Sequence, residues 1–246
     1  MTYCLAMRLS EGLVFLADTR TNAGVDNVNM YRKQHVFNPA PGRVFVLQSA
    51  GNLATTQEVL DRIRRDLTVP GDHESLANVG FLYEAALYVG AISREVSAAH
   101  SLANNGVDMT STFILGGQIE DEEPDILLVY PQGNYIHASE ELPFLQIGEA
   151  KYGKALLEMA VTHQLDAVSA TKIAFGSMLS TARANLSVGP PYDLGVYRRD
   201  TFKVERSRFE ADSRFLRSLG ELWEQVARDG FERLPDFTSD DFTVAS

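Results

Sequence analysis

The sequence predicts an α+β fold, a four-layer αββα sandwich of two antiparallel sheets, from three observations. Segments with strand periodicity and with helical periodicity follow in the order strands, helices, strands, helices, strands. The strands come in pairs joined by short turns, which favours hairpins rather than the βαβ alternation of a parallel sheet. One early strand, 13–18, is apolar on both faces, which is typical of a strand between other layers. The same periodicity also permits a simpler two-layer α+β fold.

The first four strands are predicted to form two hairpins. Residues 2–9 alternate with the period of a half-buried strand, and a turn at 10–12 leads into the buried strand 13–18. A loop rich in Asn, Gly and Asp precedes a third strand at 33–37. After a Pro-Gly turn, the fourth strand covers 43–51 and ends in Ala-Gly.

Helical periodicity begins after the fourth strand. Apolar residues recur at helical spacing over 59–67, and Thr55 or Thr56 is a plausible N-cap for this helix. A second helical pattern runs from about Leu76 through Val96 towards a strong stop signal at Asn-Asn-Gly.

The rest of the chain repeats this order. It is predicted to contain strands at 111–119, 124–130, 133–139 and 143–148, helices at 149–161 and 167–186, strands at 193–200 and 201–209, and a last helix around 215–226. No low-complexity linker divides the chain, so we predict a single domain over 1–246 with a short acidic tail from about residue 235.

Composition excludes several classes of partner and cofactor. The net charge is -11 and the basic residues are scattered, which argues against nucleic acid or an anionic membrane as a partner. Cys4 is the only cysteine, so neither an intrachain disulfide nor a cysteine-based metal site is expected. The sequence contains no phosphate-binding glycine loop, no HExxH or CxxC pattern and no GxSxG elbow, and its histidines are dispersed. We therefore expect no cofactor and no metal.

The same features indicate a compartment. A lone cysteine fits a reducing environment, and no segment reaches the roughly 18 uninterrupted apolar residues of a membrane span. The N-terminus also lacks the basic and apolar regions of a signal peptide. We expect a cytoplasmic protein.

The first residues carry a candidate for nucleophilic catalysis. Removal of Met1 would leave Thr2 with a free amine, which can act as the general base for its own hydroxyl. Asp18 ends an apolar strand, where a carboxylate needs a partner, and the hairpin returns it towards Thr2. Lys33 begins the third strand and can reach the same corner, where it would help to activate the hydroxyl. The backbone N–H of Gly51 is a candidate oxyanion donor.

Each of these residues also has an ordinary structural interpretation. Asp18 could cap a turn and pair with Arg20, Lys33 could be a solvated charge at a strand edge, and Gly51 could simply form a turn. It is their joint arrangement behind a removable Met1 that favours a catalytic site.

These residues are similar in pattern to a known family. The segment GLVFLADTRTNAG resembles the strand and turn of the proteasome family of N-terminal nucleophile hydrolases, in which Asp, Arg two places on, and Gly close the loop. The resemblance also rests on the spacing of Thr2, Asp18 and Lys33, on SAG before the first helix, and on LQIGEAKYGKAL, and it covers most of residues 2–200. Within the family, the opening MTYC and the layout are most similar to the bacterial homologues regarded as an ancestral β-subunit, with the HslV peptidases next.

The resemblance implies a role for each residue of the candidate site. Thr2 would be the nucleophile, its free amine the proton acceptor, Asp18 and Lys33 the activating pair, and Gly51 the oxyanion donor. It also implies the N-terminal nucleophile hydrolase fold, an αββα sandwich, and assembly of many copies.

The sequence departs from the family pattern at three places. Glu149 stands where the family commonly has a serine after the preceding glycine, so the hydrogen bond to the terminal amine is remade or lost. The later Asp and Ser positions of the family are matched only loosely, by Asn185 and Ser187. Asn22 stands where the family has a substrate-binding threonine.

The predicted function is a proteasome-like threonine peptidase or amidase that cleaves an amide through an ester on Thr2. One alternative is an N-terminal nucleophile amidohydrolase that acts on a small amide or unusual peptide. Another is a self-assembling scaffold with a vestigial site, for which Glu149 is the best argument.

The expected partners are further copies of this chain and a peptide or small amide substrate, and no pattern in the sequence specifies an ATPase. The second helix supports a large homo-oligomer, because Leu82, Leu87, Ile92 and Val96 form a face that one domain is not expected to cover.

Overall fold

The computed structural model describes residues 2–22, 28–69, 71, 73–103 and 106–236. The chain divides into two compact units, Met1–Glu210 and Ala211–Ser246. The described elements are, in chain order, β1 (Tyr3–Leu9), β2 (Gly12–Asp18), β3 (Arg20–Asn22), β4 (Val28–Met30), β5 (Gln34–Phe37), β6 (Arg43–Gly51), α1 (Leu53–Thr68), α2 (Leu82–Ala103), β7 (Ser111–Ile119), β8 (Asp125–Val129), β9 (Tyr135–His137), β10 (Phe144–Gly148), α3 (Ala150–Ala160), α4 (Ala167–Ala184), β11 (Tyr192–Arg198), β12 (Val204–Phe209) and α5 (Arg214–Glu232).

The first unit is a four-layer sandwich. One antiparallel sheet has the strand order β10-β1-β2-β11-β12 and the other has the order β5-β6-β7-β8-β9. Helices α1 and α2 pack on the second sheet, whereas α3 and α4 pack on the first. The predicted αββα architecture is confirmed, and the two-layer alternative is wrong.

Strand β1 differs from its prediction because both of its faces are covered. Leu5 and Met7 on one face and Cys4 and Ala6 on the other are all fully buried. Cys4 and Ala6 belong to the apolar cluster between the two sheets. The prediction of a half-buried strand is therefore wrong, since alternation in sequence does not show that a second layer lies over the less apolar face.

Helix α1 begins earlier than predicted, and its N-cap is Asn52. The Oδ1 atom of Asn52 accepts hydrogen bonds from the backbone N–H groups of Ala54 and Thr55, at 3.0 and 3.3 Å. Thr55 and Thr56, the predicted caps, lie inside the helix and are buried. An Asn at this position satisfies backbone donors that a residue within the helix does not reach.

Helix α2 begins later than predicted, at Leu82. The turn before it is held by Asn78, whose Oδ1 accepts from the backbone N–H of Ser75 at 2.8 Å. Glu84 then accepts from the backbone N–H of Gly80 at 2.7 Å, which closes the first turn of the helix. Leu76, the predicted start, is fully buried but belongs to the turn.

The apolar face of α2 is mostly covered within the chain. Leu82, Ile92 and Val96 belong to the core cluster between the α1–α2 layer and the second sheet, and only Leu87 is exposed, at 44%. The prediction that this face needs a partner is wrong for the other three residues, because α1 and the sheet already enclose it.

The remaining predictions concern the loop after β2 and the C-terminus. The predicted loop contains a short antiparallel pair, β3 and β4. The second unit contains α5, as predicted, with Ser213 as its N-cap. Most of the predicted acidic tail, 237–246, lies outside the described residues, and the single domain over 1–246 stays a prediction. None of the described helices combines the length and apolarity needed to cross a membrane.

Candidate active site

The first hairpin brings Asp18 beside the start of β1. Cys4 pairs with Ala17 in the antiparallel register of β1 and β2, so Asp18 lies next to Tyr3. The backbone N–H of Tyr3 donates to Asp18 Oδ1 at 3.0 Å. The carboxylate is therefore held one residue from Thr2, as the hairpin argument predicted.

Lys33 and Asp18 form the predicted ion pair. Lys33 Nζ donates to Asp18 Oδ1 at 2.6 Å and to the carbonyl oxygen of Arg20 at 2.6 Å. The side chains of Lys33 and Asp18 are 6% and 0% exposed, so this pair is not a surface contact. Arg20 instead donates to the carbonyl oxygen of Leu186 at 2.7 Å. The alternative of a solvated Lys33 and an Asp18–Arg20 pair is wrong.

Burial and the hydrogen-bond partners of Asp18 act in opposite directions on its pKa. Burial raises the pKa of the Asp18 carboxyl, and the charge and hydrogen bond of Lys33 act to lower it. The backbone N–H of Gly189 also donates to Asp18 Oδ2, at 3.4 Å. These donors satisfy the carboxylate, which makes a charge tolerable in an apolar corner.

Two neighbouring cavities meet at Thr2. Thr2 and Gly51 line both, one of about 440 Å³ that also includes Lys33 and one of about 730 Å³ that also includes Glu149. Gly51 ends β6 with φ +117°, and a Cβ atom there would lie 2.5 Å from the carbonyl oxygen of Thr110. Only glycine fits this strand end without strain, and it leaves a bare backbone beside Thr2.

The other side of Thr2 is bounded by the end of β10. Gly148 has φ +83°, and a Cβ atom there would collide with the carbonyl oxygen of Thr2. The next residue, Glu149, donates its backbone N–H to the same oxygen at 2.8 Å. Glu149 precedes α3 in the N-cap position, yet its side chain makes no capping hydrogen bond.

Asn185 is joined to Glu149, and Ser187 is joined to Asn185. Asn185 follows α4, and its Nδ2 donates to Glu149 Oε2 at 2.8 Å. Its Oδ1 accepts from the backbone N–H of Ser187 at 2.9 Å. Neither residue is among the described residues that line the two cavities.

Sequence reasoning missed residues in the cavity walls. Thr21 lines both cavities, whereas the side chain of Asn22, which was singled out, lies outside the described residues. His35, which the sequence analysis treated only as one of the dispersed histidines, lines the smaller cavity together with Arg64. The available signal was the strand period of two, which puts His35 on the same face as Lys33.

The environment of His35 favours its neutral form. Burial lowers its pKa to about 4, and the charge of Arg64 acts in the same direction. In the described part of the chain, no group of three or more His, Cys, Asp and Glu side chains is arranged to hold a metal ion. The expectation of no metal and no cofactor stays a prediction.

The fold is matched in solved structures. A structure titled Anbu (Gly-1) mutant from Hyphomicrobium sp. strain MC1 is 42% identical over 97% of this chain and 100% of that chain, with a TM-score of 0.90. Anbu (ancestral beta-subunit) from Yersinia bercovieri is 41% identical over 96% of this chain and 99% of that chain, with a TM-score of 0.89. The chain belongs to the Anbu family.

A third Anbu structure describes an assembly. It is titled the helical assembly of the Anbu complex from Pseudomonas aeruginosa and is 41% identical over 97% of this chain and 99% of that chain, with a TM-score of 0.91. No family model and no curated protein matches the chain. Anbu proteins are proteasome-type N-terminal nucleophile hydrolases, so the predicted resemblance to that family and to its ancestral β-subunit is confirmed.

Proposed function

We propose that this Anbu-family chain is a threonine-type peptidase or amide hydrolase whose nucleophile is Thr2 after removal of Met1. The observation that carries the proposal is that Thr2 shares a cavity with Lys33, whose ammonium is held by Asp18 and by the carbonyl oxygen of Arg20. A buried cation fixed beside a hydroxyl favours the charge that develops on the hydroxyl oxygen as it attacks.

The proposed reaction has two steps. The free amine of Thr2 accepts the hydroxyl proton while Thr2 Oγ1 bonds to the amide carbon, and the proton then passes to the leaving nitrogen as the C–N bond breaks. This releases an amine and leaves an ester on Thr2. Water, deprotonated by the same amine, attacks the ester, which frees the acid and returns the proton to the hydroxyl. Water is the only co-reactant, and the two steps need no cofactor.

The other proposed site residues lie on two sides of Thr2. Gly51 faces the substrate, and Asn185 and Ser187 lie towards the amine of Thr2. Gly51 lines both cavities with its bare backbone, which supports its role as the oxyanion donor. Asn185 donates a hydrogen bond to Glu149, whose backbone N–H donates to the carbonyl oxygen of Thr2.

The proposed protein acts as a cytoplasmic homo-oligomer on a peptide or a small amide. The helical assembly of the related Pseudomonas aeruginosa complex supports self-association. A free, buried Cys4 fits a reducing compartment. A panel of peptide amides and small-molecule amides distinguishes a peptidase from an amidohydrolase.

The test is labelling of the mature N-terminus. A peptide epoxyketone is attacked by a hydroxyl and then by a neighbouring amine, so intact mass spectrometry shows the adduct only where Thr2 has both groups. We expect an adduct on wild type and on Thr2→Ser, and none on Thr2→Ala, which keeps the amine but lacks the hydroxyl. The proposal is contradicted if peptide epoxyketones leave a mature wild-type chain unlabelled, or if the native chain keeps Met1. Either result favours the scaffold.

A further inference from the structure

Glu149 lies next to Thr2, and among the described residues the hydrogen-bond partner of its carboxylate is neutral. Its backbone N–H donates to the carbonyl oxygen of Thr2 at 2.8 Å, and both residues line the larger cavity. Its Oε2 accepts from Asn185 Nδ2 at 2.8 Å. Among the residues that the structure describes, no lysine, arginine or histidine forms an ion pair with it.

The charged residues of the smaller cavity other than Lys33 are exposed. They are Arg32, Asp61 and Arg64, and Asp61 pairs with Arg64 at 3.0 Å.

The other described charged groups around Thr2 are paired or exposed. Asp18 is neutralised by Lys33 at 2.6 Å. Asp108, which also lines the larger cavity, is exposed and accepts from the backbone N–H of Thr110 at 2.9 Å. On α3, Lys151 is exposed, and its ammonium lies over the ring of Tyr152 at 5.1 Å from the centroid. Lys154 on the same helix pairs with Glu158 at 3.2 Å.

Removal of Met1 adds a positive charge to this corner. It creates an α-ammonium on Thr2, in the corner where Glu149 is half-buried and forms no ion pair with any described lysine, arginine or histidine. A nearby carboxylate favours the ammonium over the free amine, and more strongly in a partly buried site than in water. Only the free amine has the lone pair that can take the hydroxyl proton.

We propose that Glu149, oriented by Asn185, is a positioning residue that holds the α-ammonium of Thr2 and moves the reactivity of the site to alkaline pH. This inference rests on the proposed function and specifies how that function is controlled. The mature protein is largely in a resting, protonated state at neutral pH. An ordinary α-amino group titrates near pH 8 (roughly 7.7–8.0), so the reactive form should predominate only above that value.

The experiment measures the state of the amine in two independent ways. Mature wild type and Glu149→Gln are titrated from about pH 6 to 10, using the rate of epoxyketone adduct formation and the rate of α-amine acetylation by acetic anhydride. Both rates are read by mass spectrometry of the N-terminal peptide. The matched control is Glu158→Gln, which removes a carboxylate from the same helix at an exposed position, where it pairs with Lys154.

We expect a midpoint above pH 8 for wild type and for Glu158→Gln. For Glu149→Gln the midpoint should fall by about one pH unit in both assays, and adduct formation at pH 7 should rise by up to about tenfold. Glu149→Asp keeps the charge and should retain the alkaline midpoint, so it distinguishes a charge effect from a folding defect.

Failure of the role of Glu149 and failure of the proposed hydrolase function give different results. Equal midpoints for wild type and Glu149→Gln, with adducts present, overturn the role of Glu149 and leave the threonine hydrolase standing. Absence of any adduct at every pH overturns the proposed function, while acetylation still reports whether Glu149 holds the α-ammonium.

Discussion

At the scale of single residues, the site depends on one buried carboxylate. Asp18 is fully buried and accepts three hydrogen bonds, from Lys33, Tyr3 and Gly189. Because a buried charge is costly unless it is paired, Asp18 and Lys33 each make the other tolerable. The pair therefore both stabilises this corner and places a cation in the cavity of Thr2.

Replacing Lys33 should remove reactivity without dispersing the oligomer. Lys33→Ala eliminates the cation that stabilises the developing charge, so labelling of Thr2 by the epoxyketone should fall on the order of 100-fold or more. Lys33→Arg keeps the positive charge but places it on a planar guanidinium, so this variant tests whether the position of the ammonium matters. Lys154→Ala, at a position that is 56% exposed, is the control and should label normally. Equal labelling in all variants would show that Lys33 has no catalytic role.

Replacing Asp18 should reduce stability as well as reactivity. Asp18→Ala leaves the buried ammonium of Lys33 without its counter-charge and the N–H of Tyr3 without its acceptor, which should cost about 3–5 kcal/mol. Glu205→Ala breaks an exposed pair with Arg198 and should change the unfolding free energy by less than about 1 kcal/mol. Denaturant titration of both variants makes the comparison, and similar losses would contradict the buried-pair argument.

His35 should make the protein less stable in acid. Burial lowers the pKa of His35 to about 4 in the folded chain, whereas a histidine in an unfolded chain has a pKa of about 6.5. Between these values the unfolded chain binds a proton that the folded chain does not, so stability present above pH 6.5 is lost as the pH falls towards 4. His35→Gln should lose less unfolding free energy than wild type between about pH 7 and 4.5. Parallel denaturant midpoints for the two proteins across this window would argue against it.

At the scale of elements, the site lies where a strand ends and a helix begins. β6 ends at Gly51, Asn52 caps α1, and Leu53, the first helical residue, lines both cavities. The cap therefore does two things, since it satisfies helix donors and fixes the chain direction beside the candidate oxyanion glycine.

Removing the cap should loosen this junction. Asn52→Ala deletes the oxygen that accepts from Ala54 and Thr55, which should cost about 1 kcal/mol of stability. Asn52→Ser keeps an acceptor oxygen and should recover most of the loss. Chemical denaturation measures both, and an unchanged midpoint for Asn52→Ala would mean that packing alone sets the start of α1.

At the scale of the whole molecule, the first unit buries its two sheets against each other and against helices. The strands that carry the site gain their rigidity from this arrangement, because β1 and β2 are covered on both faces. A rigid frame suits a site whose groups must stay aligned.

Self-association is the prediction that belongs to this scale. We expect multi-angle light scattering at micromolar concentration to report a mass many times 27.2 kDa. Membership of the Anbu family supports this expectation, whereas the face of α2 does not, because Leu82, Ile92 and Val96 are buried within the chain. A monomer under these conditions would remove the assembly and leave a free-standing hydrolase as the proposal.

The sequence by itself determined the order and type of the main elements and singled out Thr2, Asp18, Lys33 and Gly51. Its periodicity permitted a two-layer fold as well as the αββα sandwich, and the packing of the two sheets decided between them. These predictions use local signals, each of which can be recognised within a few residues: periodicity, turn residues and a charge that ends an apolar strand. Helix starts were misplaced at Asn52 and Leu82, because single side-chain hydrogen bonds decide them.

Only the tertiary structure decided which groups complete the site. The second face of β1 is buried by another sheet, Lys33 also bonds to the carbonyl oxygen of Arg20, and Glu149 is joined to Asn185, 36 residues away. Such contacts depend on where distant segments meet, and no local period records that. The family resemblance already singled out Glu149, but its contact with Asn185 follows from the packing of α3 and α4.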